Sequence, residues 1–259
     1  MTKLKSPVLL IAFNRPDETA QVLKSIEFYN PDKLYVTLDG PRPEVSTDYE
    51  MTKKVQDVLY RSSLYNRMII NKSDINLGCK QAVVNGLDWF FKNETHGIIL
   101  EDDIIPHEAF YEFQNQMLEL YENDSNVKAV LGFNNHGQSV NSNDHFLYEG
   151  FYPWGWGTWR DRWNDFQAEF TDSKELKEFI KKAKGSKRHL YRSLLLNLTL
   201  ISQRHLDTWD YQFFWLITKN NGLCVAPFAN LTKNIGVNGA HSANNFLDFK
   251  YGYCNSQNL

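Results

Sequence analysis

The sequence predicts an α/β fold with a mostly parallel central sheet flanked by helices. Two observations carry that expectation. Through the first half, short apolar runs of strand length alternate with longer segments of helical period. Those runs stop at polar turn residues, as buried parallel strands do at the rim of a sheet. A third observation concerns chemistry: Gly97-Ile98-Ile99-Leu100 leads straight into Glu101, Asp102 and Asp103. Three carboxylates at a strand's carboxyl end lie where open α/β sheets bind ligands, and they repel one another without a cation or a donor-rich ligand. In an extended chain Glu101 and Asp103 face one way and Asp102 the other. The competing reading is a solvated acidic turn ahead of a helix that begins near Pro106.

The elements follow in order. Val8 to Phe13 is an apolar strand closed by Asn14-Arg15-Pro16, after which Asp17 is expected to cap a helix carrying Val22, Leu23 and Ile26. Leu34 to Leu38 is a second strand, stopped by Asp39-Gly40-Pro41. A polar helix over Thr47 to Tyr60 precedes a short strand at Met68-Ile69-Ile70. The pairs Ala82/Val83, Gly86/Leu87 and Phe90/Phe91 recur every four residues, the period of a helix on a core. After the acidic strand come a helix from His107 to Tyr121 and a strand from Val127 to Leu131.

The second half differs in character. Gly132 to Gly150 reads as loop, and Phe151 to Trp159 is a cluster of aromatics and glycines, with Trp163 one helical turn beyond. Lys174 to Arg192 is basic, with Leu176, Phe179, Ile180 and Ala183 at helical spacing. Asp207-Thr208-Trp209-Asp210 opens a helix packed through Phe213, Phe214, Leu216 and Ile217, and 234–245 is a Gly/Asn-rich loop. No linker or repeat interrupts the 259 residues, so one domain is expected, with a nucleotide half over about 1–131 and an acceptor half over about 132–259.

Composition narrows the function. Hydrophobic content of 42% and charged content of 23% are those of a globular protein, and the net charge of −3 argues against nucleic acid as a partner. Cys79, Cys224 and Cys254 form neither a zinc spacing nor a disulfide framework, which favours a reducing compartment. With no export signal or long apolar span, the expected location is the cytoplasm. There is no Gly-x-Gly-x-x-Gly and no Walker loop, which counts against dinucleotide oxidoreductases and P-loop enzymes.

Arg15, Asp39 and the acidic triplet all fall on the carboxyl-end rim if the strands are parallel. An arginine beside phosphates and a carboxylate on a ribose or base are ways to hold a nucleotide. Singly, Arg15 reads equally as a surface residue and Asp39 as a turn former.

Pro7 to Pro16, Leu38-Asp39-Gly40 and Leu100-Glu101-Asp102-Asp103 resemble the corresponding blocks of GT-A-fold glycosyltransferases, in particular the N-acetylglucosaminyltransferase I family and its bacterial relatives. Phe151 to Trp156, Trp209-Asp210 and Gly239-Ala240-His241-Ser242 continue the resemblance in order. It implies a GT-A-type, Rossmann-like domain, a nucleotide-sugar donor (usually a UDP-sugar) and a divalent metal, Mn2+ or Mg2+. It implies that Arg15 and Asp39 help hold the nucleotide, that Glu101 and Asp102 touch donor sugar and ribose, and that Asp103 binds the metal. Asp210 matches the catalytic base. Asn14 stands where the animal enzymes have an acid, and Ala-His-Ser replaces Val-Ser-His in the late loop.

The implied activity is inverting transfer of a hexosyl or N-acetylhexosaminyl group to a hydroxyl of a glycan or lipid-linked saccharide, as in polysaccharide biosynthesis. A helix cap is the other reading of Asp210. Trp154 and Trp156 are candidates for the acceptor cleft, against a plain core role for such tryptophans. His241 is a candidate ligand of phosphate or metal, or a loop histidine. The basic segment around Lys181, Lys182, Lys184, Lys187 and Arg188 is a solvated face or a peripheral contact with an anionic membrane. A sugar nucleotidyltransferase and a noncatalytic carbohydrate-binding protein of the same fold are the alternatives.

Overall fold

The computed structural model describes residues 5–134 and 145–236. Strand β1 (Val8–Ala12) is buried at every position, and its side chains alternate between two cores. Leu9 and Ile11 join one face of the sheet, and Val8, Leu10 and Ala12 the other. Helix α1 (Pro16–Tyr29) opens on Pro16, whose fixed φ suits a first turn, so Asp17 lies within the helix and does not cap it. Val22, Leu23 and Ile26 face the core as expected. Strand β2 (Leu34–Leu38) is equally buried, and α2 (Ser46–Tyr60) buries Val55 and Leu59. Strand β3 (Met68–Lys72) forms the exposed edge, and α3 (Cys79–Asn93) packs Val83, Leu87, Phe90 and Phe91 beneath β1 and β2.

Strand β4 (His96–Glu101) holds the acidic run. It ends at Glu101, and Asp102 and Asp103 form a turn into the short β5 (Ile104–Pro106). Helix α4 (Glu108–Leu120) begins on His107, whose Nδ1 accepts the Ala109 N–H at 3.2 Å, and β6 (Val127–Leu131) follows. The stretch read as loop up to Gly150 contains an edge strand, β7 (His145–Tyr148). The aromatic cluster contains another, β8 (Trp156–Trp159), continued by the single turn α5 (Arg160–Trp163). The basic segment is two helices, α6 (Ser173–Lys182) and α7 (Gly185–Ser202), broken where Ala183 is extended and Gly185 takes φ +55°. Helix α8 (Asp210–Lys219), β9 (Leu223–Pro227) and β10 (Thr232–Asn234) complete the described chain.

The strands make an eight-stranded sheet in the order β3-β2-β1-β4-β8-β6-β9-β7. β3, β2, β1, β4, β6 and β9 run one way, and β8 and β7 run against them. The sheet is thus mostly parallel, with both halves of the chain contributing strands. β10 pairs with β5 outside it, Asn234 opposite Ile104. Helices α1, α2 and α4 cover one face; α3, α5, α7 and α8 cover the other.

Gly97 is needed where it sits. A Cβ there would run into the Phe90 ring and lie 2.8 Å from the Pro7 carbonyl oxygen. Gly97→Ala is expected to lower stability by about 1–3 kcal/mol through overpacking, measured by urea unfolding; an unchanged midpoint would mean that Phe90 can yield.

Candidate active site

Strand register brings the polar ends together. Leu10 pairs with Leu100 and Ile11 with Glu101 across β1 and β4, and Ala12 pairs with Leu38 on the other side. The residues that follow therefore meet at one rim: Phe13 to Arg15 from β1, Asp39 from β2 and Glu101 to Asp103 from β4. The turn at Asp102 and Asp103 overrides the strand alternation expected from sequence. Both carboxylates converge on one nitrogen of Arg15: Nη1 donates to Asp102 Oδ1 at 3.2 Å and also to Asp103 Oδ2. Asp102 Oδ2 accepts the Phe13 N–H at 3.0 Å. Among the described residues Arg15 Nε and Nη2 make no hydrogen bond, so the guanidinium can hold the acids and still donate to a phosphate.

Burial sets the electrostatics. Asp102 and Asp103 are 6% and 7% exposed. Desolvation, then the neighbouring charges of Asp103, Asp102 and Asp210, holds the Glu101 carboxyl well above its ordinary range. Burial also pushes Asp102 and Asp103 upward, although Arg15 pulls both down. Burial works to lower the Arg15 pKa, but Asp102 and Asp103 outweigh it and the net shift is up.

Asp103 Oδ1 is buried and has no hydrogen-bond partner among the described residues. An orphaned carboxylate oxygen in a crowd of negative charge suits a hard cation, provided that other oxygens complete the shell. Among the described residues no group of three or more His, Cys, Asp or Glu side chains is arranged to hold a metal. A cation at Asp103 would therefore need most of its oxygens from outside the described side chains.

Asp39 is tied closely to the protein. Its Oδ1 accepts the N–H groups of Gly40 and Leu77, each at 2.9 Å, and its Oδ2 accepts Asn76 Nδ2 at 2.9 Å. Burial raises its pKa against those donors. This network latches the loop after β2 to the approach to α3, and Asn76 was not legible as part of it.

Asp210 is the first residue of α8, half-buried, and accepts a hydrogen bond from Thr208 Oγ1. The N-cap position of α8 is Trp209, and the Asp210 charge reaches both Glu101 and Cys79. Asp207 does the capping, but for a different helix: it accepts Cys79 N at 2.7 Å and Lys80 N at 3.3 Å, the first turn of α3. The hint in the sequence was Gly78-Cys79, a helix start with no capping side chain of its own.

Asn14, the departure noted above, donates from Nδ2 to Asp48 Oδ1 at 2.8 Å, beside the Arg42–Asp48 pair. An amide serves this neighbour, whereas a carboxylate would repel it.

The two tryptophans part company. Trp156 is 0% exposed, with its ring between Phe151, Trp209 and Phe213. A core side chain cannot line an acceptor cleft, which corrects the expectation for Trp156. Trp154 is half-buried against Phe133. His241 lies outside the described residues. The chain reaches their edge at Gly236, packed against Asp103, with the Ile235 N–H on the Asp103 carbonyl at 2.8 Å.

No protein family and no curated protein matches this chain. Three solved structures are similar to it in part. HddC from Yersinia pseudotuberculosis, complexed with GMP-PN, is 13% identical, covering 70% of this chain and 87% of that one, with TM-score 0.39. A UDP-glucose pyrophosphorylase complexed with UDP-glucose is 7% identical over 86% of this chain and 90% of that one, TM-score 0.40. The apo-form glycosyltransferase GlyE of Streptococcus pneumoniae TIGR4 is 12% identical over 84% of this chain and 44% of that one, TM-score 0.37. Likenesses this distant add nothing to the reading of the site, which rests on its own residues.

Arg15→Gln should destabilise the fold at neutral pH by on the order of 2 kcal/mol, less than the 3–5 kcal/mol of a fully buried broken pair because Arg15 is partly exposed. Without the guanidinium the two carboxyl pKa values rise further above their unfolded values. The deficit is thus complete at high pH and fades as pH falls towards the unfolded carboxyl pKa of about 4. Thermal unfolding from pH 8 to pH 4 reads this directly; a deficit independent of pH would remove the assigned role.

Proposed function

We propose that this chain is a metal-dependent, inverting glycosyltransferase that moves a sugar from a nucleotide-sugar, with UDP-sugars the first choice, to a hydroxyl of a glycan or lipid-linked saccharide. The observation that carries the reading is the buried Asp103 oxygen, unpartnered among the described residues, beside the Arg15-bound acids, with Asp210 near enough for its charge to act on Glu101. In this reading about 1–131 serves the nucleotide-sugar and about 132–259 the acceptor.

The residues divide the work by environment. Arg15 offers its remaining N–H groups to the diphosphate while fixing Asp102 and Asp103. Asp102 accepts from a ribose hydroxyl. Glu101, whose pKa burial and the neighbouring acids hold well above its ordinary range, faces the donor sugar. Asp103 would hold a Mn2+ or Mg2+ ion, which when bound supplies charge neutralisation of the diphosphate leaving group. Asp210 takes the proton from the acceptor hydroxyl as its oxygen bonds to the anomeric carbon and the bond from that carbon to the diphosphate oxygen breaks. A single base on the side away from the leaving group gives inversion. The first turn of α8 favours the negative charge that the base needs. Trp154 is the aromatic surface left for the acceptor.

Asp210→Asn should reduce sugar transfer by about 10²–10⁴-fold, the range for loss of a general base, while UDP with Mn2+ still raises the melting temperature. At a hundredfold excess over Kd that rise corresponds to about 2.7 kcal/mol, or roughly 5–10 °C. Loss of the shift in Asp210→Asn would reassign the residue to donor binding or folding.

In Asp103→Ala the Mn2+-dependent part of the shift should disappear. Release of pyrophosphate from a nucleoside triphosphate and a sugar phosphate, without sugar transfer, would replace the reading with nucleotidyl transfer. No shift with any nucleotide would leave a noncatalytic fold.

A further inference from the structure

The basic segment that the proposed chemistry does not use becomes a surface with a definite shape. Residues 174–192 hold eight lysines and arginines against two glutamates, a local excess of six in a chain of net charge −3, so the remaining residues carry −9. Such a separation gives the molecule a strongly oriented charge.

The break at Ala183 and Gly185 folds this stretch into a hairpin of α6 and α7. Lys174, Lys177 and Lys181 form an i, i+3, i+7 row along α6, and Arg188 and Arg192 an i, i+4 row on α7. The two rows line one open cleft of about 690 Å³, with Ile180 and Leu195 also on its wall. Glu175 and Glu178 share the lining, and Glu178 pairs with Lys181. Lys174, Lys177, Lys182, Lys184, Arg188 and Arg192 have no ion-pair partner among the described residues. An apolar side chain stands out beside them: Leu196, one turn beyond Arg192 on α7, is 60% exposed.

From these observations we infer that the α6–α7 hairpin is a docking surface for an anionic lipid bilayer. Lipid phosphates lie between the two basic rows, and Leu196 reaches the acyl boundary. Two features select a bilayer as the occupant. The excess positive charge meets a uniformly negative surface, and the exposed Leu196 has a use there that a soluble anion does not offer. The inference stands on charge and exposure and does not depend on the transfer reading.

The test is co-sedimentation of the full chain with phosphatidylcholine vesicles, with and without 30% phosphatidylglycerol (roughly the anionic share needed for a strong surface potential). Binding is expected only to the anionic vesicles and should weaken as salt is raised. Arg188→Glu with Arg192→Glu should weaken it at least twentyfold, about fivefold for each arginine lost. Lys53→Glu with Lys54→Glu, the same charge change on exposed positions of α2, should leave it intact. Leu196→Asp should remove the part of the binding that survives high salt. An unchanged melting temperature and circular-dichroism spectrum in each variant shows that the fold is whole. Absence of binding, equal binding to neutral vesicles, or equal loss in the α2 control would overturn the inference. So would retention on heparin or RNA without vesicle binding, which would identify a general polyanion surface.

Discussion

Burying carboxylates at the end of a fully apolar strand is the constraint around which the rest of the site is arranged. A buried unpaired carboxylate is so costly that it neutralises or finds a partner. Here Asp102 takes a backbone N–H from Phe13 and shares Arg15 with Asp103. Those bonds tie the exit of β1 to the exit of β4, next to their register, and they fix the start of α1 because Arg15 immediately precedes it. The compensation is incomplete. Glu101 has the acids around it and one buried oxygen of Asp103 has no donor among the described residues, so the rim is electrostatically poised for positive charge.

The opposite side of the site depends on packing. Phe151, Trp156, Trp163, Trp209 and Phe213 interlock under β8 and the start of α8, with ring centroids from 4.9 to 6.4 Å apart. Rings of that size leave few rotameric options, so α8 begins at one place and Asp210 is presented at one angle. Asp207, three residues earlier, is pinned to the first turn of α3. The candidate base is therefore held between an aromatic core on one side and the first turn of α3, capped by Asp207, on the other.

Much of the first half was legible because its signals are local. Strands β1, β2, β4 and β6 are apolar runs with polar ends, and α3 repeats its paired hydrophobics every four residues. The reversed strands were not. β7 and β8 are four residues each, and β8 is buried on both faces, so it shows no alternation and its glycine reads as a turn. β9 was missed for the same reason, a five-residue apolar run with no periodicity to declare it. The positions of Arg15 and the triplet could be placed on one rim from sequence, but their mutual geometry could not, since it depends on a turn that ends the strand alternation. Asn76 with Asp39 and Asp207 with Cys79 are contacts across 37 and 128 residues, beyond any local pattern. Trp154 and Trp156 look alike in sequence, and only the strand assigns one to the core.

The aromatic core has a practical consequence. Trp209 is one peptide bond from Asp210, and its indole stacks on that of Trp156 at 5.4 Å with Trp163 at 6.2 Å. Rings this close share excitation, and their emission responds to small changes in spacing and surroundings. The chain thus carries its own optical gauge beside the candidate base, and the colour of its fluorescence follows the first turn of α8 without an attached dye.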